Sequence, residues 1–197
     1  MLEPNFESVS RQQFRRYFQP SRVLICVLPD AKHGWNLITL SFNMWCSYKP
    51  PMIAVAVQDI NRSYELIQEA SEYVLAVPGP SLASETLVFG WESSKTKDKR
   101  KATDIKLIPS EKVAVPSVRE AIANIEVKKR SVVQSGDHVI VVGEALRFAV
   151  NKSRMERNLI SIGPDTTGYR VLASQGIHRI SVVDAPNPET LPDDDPS

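Results

Sequence analysis

The stretch "NLITLSFNMWCSYKPP", residues 36–51, governs how the rest of the chain is read. Its β-branched and aromatic residues favour an extended backbone, and Pro50 and Pro51 end it abruptly. Hydroxyls and rings crowd that backbone at Thr39, Ser41, Phe42, Trp45 and Ser47, with Cys46 beside the Trp. Donors and rings in this mixture suit a flat heterocycle that alternates donors and acceptors along one edge. Just upstream, "RVLICVLP" (22–29) predicts a buried strand and "DAKHGWN" (30–36) a turn with Asp, Gly and Asn chemistry. The stretch 36–51 is therefore expected to return as one strand, antiparallel to 22–29.

Working outward, "MIAVAV" (52–57) predicts a third strand. "NRSYELIQEA" (61–70) predicts a helix capped by Asn61 or Ser63, with Glu65 in its first turn. A strand is expected over 73–79 and a helix over 81–91 with Ser81 as its N-cap. Residues 92–104 are basic and aperiodic and read as a loop. "SVREAIANI" (117–125) predicts a short helix after Pro116. Residues 126–134 and 138–150 read as strands joined through "SGD", and short extended pieces follow at 159–163, 169–172 and 177–183. An N-terminal helix is expected over 7–18. The acidic, proline-rich residues 184–197 are expected to be a disordered tail.

Seven to nine strands with about three short helices, not in regular alternation, disfavour a doubly wound parallel sheet. A mainly β, antiparallel closed or split barrel with helices packed outside is expected. The chain reads as one domain over 1–183, of which 1–19 is a helical extension.

Composition narrows the function. A chain of 197 residues can bury roughly 70% of the surface its unfolded form exposes. A net charge of +1 offers no global field for nucleic acid or an anionic membrane. Cys26 and Cys46 do not make a disulfide framework, and both read as small buried residues. The N-terminus lacks the apolar segment of a secretory signal, and no apolar run is long enough to span a bilayer. A cytoplasmic protein with reduced thiols is expected. Neither a dinucleotide fingerprint nor a P-loop is present, and three histidines and two cysteines show no metal-ligand spacing. An enzyme built this way leaves its hard chemistry to a cofactor that needs no glycine-rich loop.

The start of the helix at Asn61 offers unpaired N–H groups and a partial positive charge. Asn61, Arg62 and Ser63 add an amide, a guanidinium and a hydroxyl, the makings of an anion site. The plainer reading is a capped helix with Arg62 in water.

The order of these pieces resembles the flavin reductase-like family, whose members share an FMN-binding split barrel. The resemblance rests on "NLITLSF" (36–42), "CSYKPP" (46–51), "AVAVQDINRSYELI" (54–67), Asp98–Lys99, and "PSVREAIANIEVKKRSVVQSGDHVIVVGEA" (116–145). It implies that Thr39, Leu40, Ser41 and Phe42, with Trp45, Cys46 and Ser47, meet the isoalloxazine, largely through backbone. It implies that Arg62 and Ser63, with Ser47 as a further candidate, hold the phosphate beside Asn61. Lys99 is a candidate for phosphate groups of a nicotinamide cofactor or for an acidic partner. His138 is a candidate for a nicotinamide or dimer contact, its alternative being a hydrogen-bonded strand-end histidine. The implied activity is hydride transfer from NADH or NADPH to FMN and onward to free flavin or a protein acceptor, in a homodimer. A flavoredoxin-type electron-transfer protein without tight nicotinamide binding is the alternative. A cofactor-free barrel reading nucleic acid through its basic loop ranks last, because no aromatic platform interleaves with those charges.

Overall fold

The structure is a computed structural model and describes residues 6–60, 62–91, 101, 103–154, 156–163, 169–175 and 178–182. Asn61, Lys99, the rest of 92–100, and the tail 184–197 lie outside the described residues. The strands are β1 (Ser21–Arg22), β2 (Leu24–Asp30), β3 (Gly34–Leu40), β4 (Asn43–Tyr48), β5 (Pro51–Gln58) and β6 (Glu72–Val77). They continue with β7 (Leu107–Ile108), β8 (Ser117–Val118), β9 (Ala123–Ser135), β10 (His138–Val150), β11 (Leu159–Ser161), β12 (Arg170–Gln175) and β13 (His178–Val182). The α-helices are α1 (Arg11–Phe14), α2 (Arg62–Glu69) and α3 (Ala83–Trp91).

Seven strands form one sheet in the order β3-β2-β6-β9-β10-β5-β4, and every neighbouring pair is antiparallel. Its two edges, β3 and β4, are separated in sequence by Ser41 and Phe42 alone. A flat sheet of this width would hold its edges roughly 29 Å apart, at ~4.8 Å per strand. The link from Leu40 to Asn43 reaches at most about 11 Å. The sheet therefore has to curl until its edges meet, which makes it a barrel. The amide N–H of Ala56 in β5 donates to the Phe42 carbonyl at 2.9 Å and ties the corner down. The Asn43 amide donates to the carbonyls of Arg22 and Leu40 across the same corner.

The stretch that the sequence predicts as one strand is thus two. The β2 ladder ends at Leu24–Leu40 and the β5 ladder begins at Asn43–Val55, so the chain changes partners at Ser41–Phe42. Its two halves close opposite edges of the sheet.

β2 is buried on both faces. Leu24, Cys26 and Leu28 point into the barrel with Val55, Tyr73, Leu75, Val127 and Val141. Ile25 and Val27, one residue out of phase, pack outside with Leu37, Val74, Phe89, Val113, Val118 and Ala121. α2 buries Leu66 and Ile67 against the first cluster. The helix α3 puts Phe89 on the second, while Ala83 and Leu87 pack on Leu159, Ile180 and Val182. It therefore lies between the barrel and a smaller antiparallel sheet of order β1-β11-β13-β12. β9 and β10 form a long hairpin turning at Gly136, whose φ of 60° suits glycine.

Other expectations need correction. Residues 117–125 are not a helix: β8 covers Ser117–Val118 and β9 begins at Ala123. The Asn124 side chain takes both backbone groups of Val118, at 3.0 and 2.9 Å, and Ile125 pairs with Leu75 of β6. Burial of Val118 and Ala121 in the outer cluster outweighs the local helix preference of "REAIAN". The N-terminal helix is shorter than predicted, one α-turn followed by a 3-10 turn over Arg15–Phe18. Ser81 does not cap a helix with its hydroxyl. It sits inside a 3-10 turn, donates its N–H to Glu156 at 3.0 Å, and accepts from Arg154 at 2.8 Å.

Candidate functional site

The corner that closes the barrel also opens a cavity of about 320 Å³. Thr39, Leu40, Ser41 and Phe42 form one wall, and Ala56 and Gln58 of β5 with His138 of β10 form the next. The third comes from α3, through Thr86, Gly90 and Trp91. The fourth comes from the small sheet, through Ser161, Arg179 and Ile180. The volume lies in the range of small-molecule sites.

Local chemistry sets each wall. The Thr39 hydroxyl donates to the Thr86 carbonyl at 2.5 Å and fixes α3 to β3. Gly90 faces Thr39, where a Cβ would stand 3.4 Å from the Thr39 Cβ, an ordinary contact. Ser41 and Phe42 lie between the two ladders, and the Phe42 carbonyl is taken by the Ala56 N–H of β5. The Phe42 and His138 rings are 5.4 Å apart. Asp137 lies 2.7 Å from His138 Nδ1 and also accepts from the Gln58 amide at 3.5 Å, so one carboxylate orients two lining residues. The hydrogen bond with His138 holds the Asp137 carboxyl below its ordinary value.

Other expected site residues lie elsewhere. Ser63 is buried and its hydroxyl accepts from the Asn36 amide at 2.8 Å, a strut between α2 and β3. Arg62 pairs with Asp30 at 3.7 Å and with Glu65, and the hydrogen bond to Glu65 raises its pKa further. Neither lines the cavity. Trp45, Cys46 and Ser47 stand on the far edge strand. Trp45 is stacked with Tyr48 at 6.3 Å and meets Phe148 at 5.6 Å. It lines a separate cavity of about 220 Å³ with Met44, Ile53 and Leu159. Cys46, expected to be buried, is exposed, as are Met44 and Trp45 beside it on this edge strand.

A larger cleft of about 810 Å³ lies by the end of β10. Its charges answer one another: Arg147 pairs with Glu111 and Glu126, and Arg154 with Glu156. None of the expected site residues lines it.

Sequence reasoning missed Gln58, Trp91, Ser161 and Arg179. Gln58 follows a strand that was recognised, and the others belong to elements that meet the corner only in three dimensions. No local motif marks them.

Among the described residues no helix is long and apolar enough to cross a membrane, and no group of His, Cys, Asp or Glu is placed to hold a metal. A family described as "Flavin reductase like domain" matches residues 14–163. An uncharacterized protein of Archaeoglobus fulgidus is 32% identical over 130 residues, covering 66% of this chain and 72% of that one. The FMN-binding protein of Thermus thermophilus with bound p-hydroxybenzaldehyde superimposes with a TM-score of 0.71 at 16% identity, over 95% of this chain and 100% of that one. The NADH:FAD oxidoreductase of Streptomyces globisporus gives 0.67 at 17% identity, over 80% and 93%.

Proposed function

This chain belongs to the flavin reductase-like family, and from that premise we propose that it is an FMN-dependent oxidoreductase drawing electrons from NADH or NADPH for an acceptor. The observation that carries this reading is the cavity at the barrel corner. Its walls mix rings with neutral donors and acceptors and one cation, Arg179, and no Asp or Glu is among its described lining residues. That donor set fits an uncharged tricycle bearing amide-like groups on one edge. FMN, when bound, supplies the hydride-accepting ring. The chain's own task is to hold and orient it. Ser41 and the backbone from Thr39 to Phe42 would hold the ring's edge, Phe42 and His138 would offer it flat ring surface, and Gln58 would add an amide that Asp137 keeps in place. Backbone groups aimed at a ring edge stabilise charge that develops there without reorganising.

The chain works as a homodimer in the cytoplasm. Met44, Trp45 and Tyr48 of β4 and Phe148 and Val150 of β10 are exposed apolar side chains, and the Trp45–Phe148 contact links the two strands. An apolar face of this kind suits a subunit interface.

The test is to add FMN to purified protein, follow quenching of flavin fluorescence, and then add NADH or NADPH without oxygen. Binding followed by rapid bleaching is expected. Absence of binding sinks the reading. Binding without bleaching by either nucleotide replaces it with electron transfer between proteins.

A further inference from the structure

We infer that Asp137 is a positioning residue that holds neutral His138 in the tautomer with its hydrogen on Nδ1, so that Nε2 reads a ligand N–H in the corner cavity. The role rests on the flavin reading above. An ionised carboxylate only accepts hydrogen bonds. His138 Nδ1 stands 2.7 Å from Asp137 Oδ1, so the hydrogen between them belongs to the imidazole. A neutral imidazole that donates through one nitrogen accepts through the other. Nε2 has no hydrogen-bond partner among the described residues, and His138 lines the cavity. The bond to His138 also holds the Asp137 carboxyl below its ordinary value, which keeps it ionised at neutral pH.

Gln58 obeys the same logic. It stands opposite His138 across the ladder of β5 and β10. Its amide nitrogen donates to Asp137 Oδ2, more weakly, at 3.5 Å, which leaves its carbonyl oxygen for the cavity. Asp137 itself is not among the lining residues, so it acts through these two neighbours. Its turn is held in place. The Asp59 N–H donates to the Asp137 carbonyl at 3.1 Å. The Gln134 side chain donates to the carbonyls of Gly136 and His138 at 3.0 and 3.3 Å. Nε2 lies in the plane of the imidazole, so this role leaves the ring faces for stacking.

Two fixed acceptors call for a donor on the ligand. An uncharged amide N–H reaches the cavity either on the carboxamide of the nicotinamide donor or on the imide of the flavin, and paired ligands separate the two. The tautomer is read first, by NMR of protein with 15N-labelled histidine at about pH 8. His33 and His178 are the other two histidines, and His138→Phe identifies the signals of His138. Wild type should carry the hydrogen on Nδ1, and the Nε2–H form should appear in Asp137→Asn and Asp137→Ala, as happens when a histidine loses its orienting carboxylate.

Binding is then compared in wild type and His138→Phe, which keeps a flat ring and removes the acceptor. One ratio is kcat/KM for the reduced nicotinamide dinucleotide over its 3-acetylpyridine analogue, which lacks the amide N–H. The other is the dissociation constant of 3-methyl-FMN over that of FMN. If the carboxamide is read, the first ratio falls roughly three- to tenfold and the second holds. If the flavin imide is read, the second falls and the first holds. The inference is overturned if both ratios keep their wild-type values. It is also overturned if wild-type His138 is cationic or carries its hydrogen on Nε2, or if neither Asp137 variant changes the tautomer. Failure of the wild type to bind FMN overturns the flavin reading itself, whatever the tautomer.

Discussion

Replacing Tyr73 with Phe is expected to stabilise this protein, because the hydroxyl it removes has no use in the folded state. Tyr73 is 0% exposed, inside the barrel, and its Oη has no hydrogen-bond partner among the described residues. Burial pushes the phenol pKa up, so the group stays neutral. A buried polar group without a partner costs about 1–3 kcal/mol. Its deletion also forfeits a few contacts, at ~0.1–0.2 kcal/mol each. The net gain is about 1 kcal/mol, roughly 2–4 °C in Tm for a chain of this size. Gly143 supplies the complementary perturbation. A Cβ on Gly143 would stand within 2.3 Å of both Tyr73 Oη and Val127 Cγ1, so Gly143→Ala overpacks the barrel by about 1–3 kcal/mol. In the Tyr73→Phe background one of those two clashes is gone. The alanine should then cost about 1 kcal/mol less, a coupling typical of touching residues. Urea denaturation of the flavin-free protein measures the wild type and the three variants, with equal m-values confirming a change in stability alone. The reasoning is refuted if Tyr73→Phe destabilises by more than about 1 kcal/mol, or if Gly143→Ala costs the same in both backgrounds.

Glu126 is fully buried and accepts the N–H groups of Glu111 and Lys112 and the Arg147 guanidinium. Glu126→Ala should cost about 3–5 kcal/mol by urea denaturation, as expected for breaking a buried pair, and Glu126→Gln clearly less. Burial pushes Glu156 up, but the hydrogen bonds from the Ser81 N–H and from Arg154 outweigh it and hold its carboxyl below the ordinary 4.5. Its contribution is therefore present at neutral pH and lost as pH falls through that lowered value. The stability gap between the wild type and Glu156→Gln should accordingly narrow in acid, and a gap that widens would reverse the assignment. Trp45→Asp should shift the mass in sedimentation from dimer to monomer, and a wild type that is already monomeric would remove the dimer from the functional reading.

Part of the corner cavity's lining was named from the chain, and the limits of that reading have a physical cause. Ser41 and Phe42 line the cavity because they fall between the two ladders, and Thr39 and Leu40 because they end the first of them. His138 joins them because the turn at Gly136 and Asp137 returns β10 beside β5, placing it opposite Gln58. Trp45, Cys46 and Ser47 follow within a few residues yet belong to the opposite sheet edge, since the chain changes partners at the corner. Proximity in sequence does not bring them into this cavity. Arg62 and Ser63 also lie outside it, and their partners Asp30 and Asn36 stand at the two ends of the segment 30–36 that the sequence reads as a turn.

Alternation of apolar residues is a local property, dictated by a period of two along each strand. The chain alone therefore determined the long hairpin of β9 and β10, the two-sided burial of β2, and the mainly β class. Which strands become neighbours depends on free energy summed over residues far apart in sequence. The helix expected over 117–125 gave way to β8 and the start of β9 because Asn124, Val118 and Ala121 found better partners in the folded barrel. Curling of the sheet, the seating of α3 against Thr39 and the arrival of Arg179 at the corner were decided only by tertiary structure. The reason is that each joins groups whose meeting no local preference encodes.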